Sequence, residues 1–501
     1  MVLIGASDWL NTWLTPVWLL GLGALVALAI MLLIWLVASM VNRDARGGIP
    51  QAVAEGPLQP IFWIVLGLAV FAVVGPFVIR NTDDLVKSIT RVPFTGTSVE
   101  NVTVPGAPEG TDPKSVEIPV KFNADEIRTI VAKSDHDVSI VSPIQVDEEY
   151  ILNWEVQAEE DYSWDRGLIR SNPFELEGMD KILVKNRTEQ DANVAIEFFT
   201  APLHPQTSSV FVTTVAILAL FGAYMLLRWL FPKTAAIALA TAKSEMATPL
   251  FLLLTLAGFF LIFIFMWFPY YTFGEDIKVL KDTGLTLIMV FAIFHAIWAA
   301  SNSVATEIDG KTALTVLSKP IGRRQFILGK FFGISWSTAV MFCLLGVWLL
   351  VIVAYKPVYD ARESSNTAPT WQVCHLEMIR TVPGLFLAYL ETLVFAAIGV
   401  AISTRLPMLA NIMICFAIYA FGHLTPLLVL GAQGQFENVT FVASFIATVL
   451  PVLDHFNIQA AVAAGVGVSY GYLGMATIYC FLYCTVAMLL ALVLFEDRDL
   501  A

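Results

Sequence analysis

Charge is what this sequence has least of. Only 14% of its 501 residues are Asp, Glu, Lys or Arg and 57% are apolar, against roughly a quarter charged and 45–50% apolar in soluble chains. That excludes a water-soluble enzyme or binding module as a reading of the whole chain. Cysteine is scarce as well. Of Cys343, Cys374, Cys415, Cys480 and Cys484, only Cys374 lies in a polar segment, so no disulfide framework is implied. Cys480 and Cys484, one helical turn apart, read as small packing residues and not as a metal or redox pair. A cleavable signal is missing too: the start has no basic region, carries Asp8, and its apolar run over 16–41 is too long.

What the chain has in abundance is apolar runs longer than the ~18 residues that cross a hydrocarbon layer. Nine spans are expected, at about 16–41, 58–79, 207–230, 249–272, 283–305, 326–355, 383–404, 408–432 and 474–495. The fold class is therefore a polytopic α-helical membrane protein. Arg43, Arg46, Arg228, Lys233, Lys243, Lys319, Arg323, Arg324, Lys330 and Arg405 all fall in alternate connections. By the positive-inside rule those connections and the C-terminus are cytoplasmic and the N-terminus is outside. The stretch 433–473, Gly-rich and broken at Pro451, is too apolar for a free loop. It reads as a re-entrant or interfacial helix, tolerable where protein buries its backbone.

One hydrophilic insert remains. Residues 80–206 hold 12 Lys+Arg and 24 Asp+Glu, a net of −12 out of the chain's −13. This acidity argues against nucleic acid or anionic lipid as its partner. Val116–Phe122, Ile151–Val156, Ile182–Val184 and Val194–Phe199 alternate or run apolar between turn residues, which suggests a small extracytoplasmic β-sandwich. The expected domains are a two-helix hairpin (1–79), the acidic β-rich insert (80–206), a third span with linker (207–234) and a six-helix core (235–501).

Residues 305–312, Ala-Thr-Glu-Ile-Asp-Gly-Lys-Thr, fit a relaxed phosphate-loop pattern. Such a loop must join a buried strand to a helix so that its N–H groups converge on phosphate. Here a membrane span precedes it and no second strand brings a magnesium ligand, so nucleotide binding is not expected. The same segment has another form. A span ends at Glu307, Gly310 follows, then Leu314, Leu317, Pro320-Ile321-Gly322-Arg323-Arg324, and Gly329-Lys330 opens the next span. With Ala242-Lys243-Ser244-Glu245 heading an amphipathic helix before a span, Leu450–Asn457 before the last span and Phe495–Asp499 at the end, this order resembles the type-2 ABC transporter permeases over about residues 235–501.

The resemblance implies a six-span core that faces a second copy or homologue in the cytoplasmic (inner) membrane, among its lipids. It also implies a cytoplasmic loop, 306–325, that couples the core to a separate ATPase subunit. ATP would be bound by that partner, and this chain would hold no cofactor or metal and perform no covalent chemistry. Leu314, Leu317 and Ile321 stand at helical spacing to meet the partner or the bundle. Glu307 can pair with Arg323, Arg324 or Lys330, and Pro320 fixes its own φ and restricts Lys319. Exporter is the leading function. An assembly or maturation factor acting on an extracytoplasmic protein, and an ATPase-independent sensor, are the alternatives. Ionisable residues inside spans default to functional readings: His295, Glu391 and His423 are candidates for a translocation path. Cys374-His375-Leu376-Glu377, placed in an outer loop, is too small a cluster for a metal site.

Overall fold

The computed structural model describes residues 2–41, 50–51, 53, 56–80, 82–108, 113–119, 122–142, 145–146, 149–150, 153–158, 160–166, 181–186, 188–267, 275–309, 321–432 and 437–496. The chain forms two units, Met1–Arg80 with Ser209–Ala501, and Asn81–Ser208.

The first unit is helical: α1 (Val2–Val41), α2 (Gln59–Val74), then, past a helix of the other unit, α3 (Thr82–Arg91), α4 (Ser209–Leu230), α5 (Pro232–Met246), α6 (Pro249–Trp267) and α7 (Asp276–Ala300). It continues with a π turn (Ser301–Ala305), α8 (Thr306–Asp309), α9 (Arg323–Glu363), α10 (Trp371–Ser403), α11 (Met408–Ala432), α12 (Glu437–Val449), α13 (Gln459–Ala463) and α14 (Tyr470–Glu496). Nine helices among the described residues are long and apolar enough to cross a membrane. Several outrun their hydropathy windows because helical hydrogen bonding continues past the apolar stretch. Thus α9 reaches Glu363, and α10 starts at Trp371 with Pro383 inside it. This corrects one expectation. Cys374 and His375 lie buried in α10 and not in a loop, with His375 Nε2 3.0 Å from Ser209 Oγ.

The irregular stretch before the last span is a pair of short helical segments bent by 54°. Pro451, which has no N–H to continue the ladder, sits at the break. Tyrosines of α14 satisfy the freed backbone: Tyr479 Oη accepts from Val452 N (2.9 Å), while Tyr483 donates to Val449 O (3.1 Å) and Tyr472 to His455 O (2.8 Å). Irregular backbone at membrane depth needs such internal partners.

Small residues set how closely the helices approach, as lipid offers no hydrophobic drive between them. Gly21 of α1 lies against the backbone of α2, and Gly23 against Thr213 of α4. Trp18 Nε1 donates to Ala72 O at 2.9 Å. Another close seam joins α5 to α9. There Gly329 and Gly333, four residues apart, face Ile237, Ala238 and Thr241. α5 buries a single face along this seam: Thr234, Ala235, Ile237, Ala238, Thr241, Ala242 and Glu245.

The second unit is a β-sandwich of two four-stranded antiparallel sheets. One has the order β1 (Thr97–Val104), β10 (Ala192–Thr200), β3 (Ile127–Ser134), β8 (Tyr162–Asp165); the other β2 (Ser115–Pro119), β9 (Lys181–Asn186), β4 (Val138–Val141), β7 (Asn153–Val156). β5 (Gln145–Val146) and β6 (Glu149–Tyr150) pair separately. One core takes side chains from both sheets, including Ile130, Trp164 and Ile196 from the first and Ile140, Trp154 and Val184 from the second. α3 is tied to this unit by Arg91, whose Nε and Nη2 donate to the two oxygens of buried Glu126 at 2.5 and 2.7 Å.

Candidate functional site

A polar cluster of the helical unit is built where α7 ends. The five-residue π turn Ser301–Ala305 widens the helix by one residue, a device that redirects side chains within an otherwise regular ladder. Ser301 Oγ accepts from Asn411 Nδ2 of α11 at 2.8 Å, and Asn302 Nδ2 donates to Glu245 Oε1 of α5 at 3.3 Å. One helical turn on, Glu307 Oε1 accepts from Lys330 Nζ of α9 at 2.6 Å, and that ammonium stands 5.4 Å over the Phe326 ring. Lys330 is nearly buried, its side chain 6% exposed. Partial burial strengthens such a pair relative to a surface bridge, and makes breaking it by removing one partner costly.

Glu245 is the second carboxyl here, and burial pushes it up to about 7. The Asn302 hydrogen bond and the Lys330 charge pull the other way, and the Glu307 charge adds to the rise. The folded protein thus holds this proton more tightly than the unfolded chain. The resulting stability is fully present below ~4.5 and is lost as pH rises through about 7. The shift corresponds to roughly 3 kcal/mol. Glu245→Gln, a permanent mimic of the protonated acid, should therefore raise the unfolding temperature at pH 8 and leave it nearly unchanged at pH 4.5. Equal effects at both pH values would contradict the assignment.

The three cations expected to compete for Glu307 are separated. Lys330 takes it. Arg323 turns to the last turn of α14, donating from Nη1 to Glu496 O at 2.5 Å and lying 6.0 Å over Phe495. Arg324 is exposed. In α5, Lys243 is exposed and Glu245 buried, and the two lie in the last turn of the helix, Pro232–Met246, and do not head it as expected. Gly310, Leu314, Leu317 and Pro320 lie outside the described residues. So do positions 310–312 of the phosphate-loop look-alike, whose first five residues, 305–309, are helical.

Of the three ionisable residues expected inside spans, two meet. Glu391 Oε1 of α10 approaches His423 Nε2 of α11 to 3.3 Å, without hydrogen-bond geometry, so neither carboxylate oxygen has a hydrogen-bond partner among the described residues. Tyr419 packs edge-on against the imidazole, ring centroids 4.7 Å apart. His295 stands elsewhere, with Nε2 3.1 Å from Ser337 Oγ and its ring against Phe251. Sequence reasoning missed Asn302 and Asn411, uncharged polar residues at the ends of apolar runs. It also missed Lys281, fully buried in α7 and paired with Glu377 of α10, and Lys356, bonded to Asp360 at 2.8 Å and to Met266 O at 3.2 Å. The four-residue spacing of Lys356 and Asp360 was a readable signal.

Among known families, the ABC-2 family transporter protein model matches residues 185–500. The match takes in α4 and every later helix and leaves α1, α2 and most of the β-sandwich outside it. A search of the curated proteins finds no match. With well over half of the chain matched and nine helices able to cross a membrane among the described residues, the chain belongs to the ABC-2 transporter family as a multi-pass membrane protein.

Proposed function

We propose that this chain is the permease subunit of an ATP-driven exporter and that the segment between α8 and α9 couples it to a separate ATPase. The observation that carries this reading is the Glu307–Lys330 ion pair. It ties the end of the π-bent α7–α8 rod to the second turn of α9, and so fixes the two roots of the 310–320 segment against each other. A push on that segment would pass into α9, the 41-residue helix packed against α5, α7 and α10. A rigid root is what force transfer between two proteins requires. Two copies of the helical unit, or one copy and a homologue, would face each other around the translocation path, with Glu391 and His423 contributing to it. The experiment is copurification of the ATPase with wild-type chain and with a Glu307 variant.

In this reading the β-sandwich lies outside the cell membrane and the ends of α8 and α14 lie in the cytoplasm. A single cysteine placed at exposed Glu160 should then react with a membrane-impermeant maleimide in intact cells. Of the five native thiols, Cys374, Cys415, Cys480 and Cys484 are buried and Cys343 is half-buried, so the wild-type chain is the background control. Labelling only after the membrane is opened would reverse the topology.

The β-sandwich, a unit with its own core and mostly outside the matched residues, favours a second reading. There the ATP-driven motion acts on an extracytoplasmic protein, in assembly or maturation, and no solute is moved. A protein retained by the wild-type chain and lost on deletion of 81–208 would decide for it.

A further inference from the structure

Glu391 Oε1 and His423 Nε2 face each other with no hydrogen-bond partner among the described residues, and Glu391 Oε2 has none either. Ser403 ends α10 about three turns beyond Glu391, roughly 18 Å away at 1.5 Å per residue. The carboxyl therefore lies well inside a ~30 Å hydrocarbon layer. Its side chain is 1% exposed, that of His423 24%. A lone charge without donors is costly at that depth and calls for neutralisation. The two residues achieve this as a pair, either as neutral acid beside neutral imidazole or as carboxylate beside imidazolium. Each form holds one proton. The 3.3 Å gap between Oε1 and Nε2 admits a proton and no larger cation. Among the described residues no group of three or more His, Cys, Asp or Glu could hold a metal.

The pair lies at the foot of the bent segment before the last span. Gly422 lies directly against it, since a Cβ there would meet Pro451 O at 3.0 Å and Leu453 Cδ1 at 2.8 Å. Beyond buried Leu453 comes exposed Asp454, whose charge acts on Glu391. The break thus joins an exposed carboxylate to the buried pair, on the side of the bundle opposite the 310–320 segment. The other titratable groups around the pair are few. Tyr419 faces Glu391 from α11, and Cys480 of α14 donates from Sγ to Leu390 O at 3.4 Å. His455 packs edge-on against Tyr479, centroids 5.2 Å apart. On α7, Lys281 and His295 are engaged by Glu377 and Ser337.

We propose that Glu391 and His423 together bind one exchangeable proton at the foot of this break. Uptake of a second proton, or loss of the first, leaves a net charge against Pro451 and Leu453, where the chain is out of the helical ladder. The packing of the re-entrant pair therefore follows the protonation of this site. Binding needs only the folded chain in a bilayer, so the site stands apart from the ATPase reading.

The test is infrared difference spectroscopy of the purified full chain in phosphatidylcholine nanodiscs, stepped through about pH 5 to 8, where imidazole changes charge. Wild-type chain should show a carboxyl band and an imidazole band that change with one midpoint, because interacting groups titrate as a pair. Glu391→Gln should remove the carboxyl band and move the imidazole midpoint by at least about one pH unit, and His423→Asn should do the converse. Asp454→Asn should lower the shared midpoint, as loss of a nearby negative charge weakens proton binding. If Glu391→Gln does not fold, His423→Asn carries the test through the carboxyl band. His136→Asn, in the β-sandwich unit, should leave the coupled bands in place. A carboxyl band that survives Glu391→Gln, midpoints that ignore the partner's substitution, or a shared midpoint unmoved by Asp454→Asn would overturn the proposal.

Discussion

Glu307→Lys should leave the chain inserted in the membrane and cut the ATPase that copurifies with it at least about tenfold, a loss of roughly 1.4 kcal/mol. The substitution places an ammonium where a carboxylate stands 2.6 Å from Lys330. Two like charges about 4 Å apart repel by roughly 4 kcal/mol at the effective dielectric of a half-buried site. The cost falls at the joint between α8 and α9 and not in the packed centre of the bundle, so geometry of the 310–320 segment should change before the fold does. Lys330→Glu in the same chain restores opposite charges and should recover most of the association. Pro320→Ala should have a smaller effect in the same direction, and Lys114→Glu, exposed on the β-sandwich, none. If Glu307→Lys and Pro320→Ala both keep wild-type association and wild-type stimulation of hydrolysis, the coupling segment has been misplaced.

Gly333→Leu should remove the folded protein altogether, read as loss of the monodisperse peak in detergent. A Cβ at Gly333 would come within 2.6 Å of Thr241 Cβ and 2.7 Å of Ala238 O. The second of these is helix backbone and cannot rotate away, so α5 and α9 must part. Overpacking of this kind costs about 1–3 kcal/mol or more. Separation of the helices would also pull Glu245 from Asn302 and expose the buried stripe of α5. Gly333→Ala should be milder but clearly destabilising. Gly67→Leu is the control: no atom lies within 4 Å of a Cβ there, and the added side chain would enter lipid. Equal behaviour of the Gly333 and Gly67 variants would refute the seam.

Hydropathy made the helical architecture legible, since each span must satisfy its backbone alone and be apolar over a fixed length. The β-sandwich was only half legible. β9 and β10 alternate, but β4 is central in its sheet and all four of its residues are buried, so alternation vanishes. In β3, inward Ile127 and Ile130 are three apart, where the register with β10 shifts at Phe199 and Thr200, and a bulge breaks the two-residue period. At the candidate site the charges were readable but their pairing was not. Arg323, Arg324 and Lys330 are equivalent donors to Glu307 on paper. Only the structure shows that the end of α14 captures Arg323, while Lys330, two turns inside α9, is left beneath Glu307. Asn302 had no signal, because a lone amide at the end of an apolar run resembles any other span terminus. Family membership was legible because it rests on the order of several weak motifs along the chain.

The central claim is that this chain transmits work from ATP hydrolysed in another subunit. The most direct measurement is ATP hydrolysis in lipid by the purified chain alone, by its copurified complex, and by the complex carrying Glu307→Lys. The account predicts no hydrolysis by the chain alone, hydrolysis by the complex, and altered stimulation by the variant. Hydrolysis by the chain alone that disappears on Lys311→Ala would contradict it.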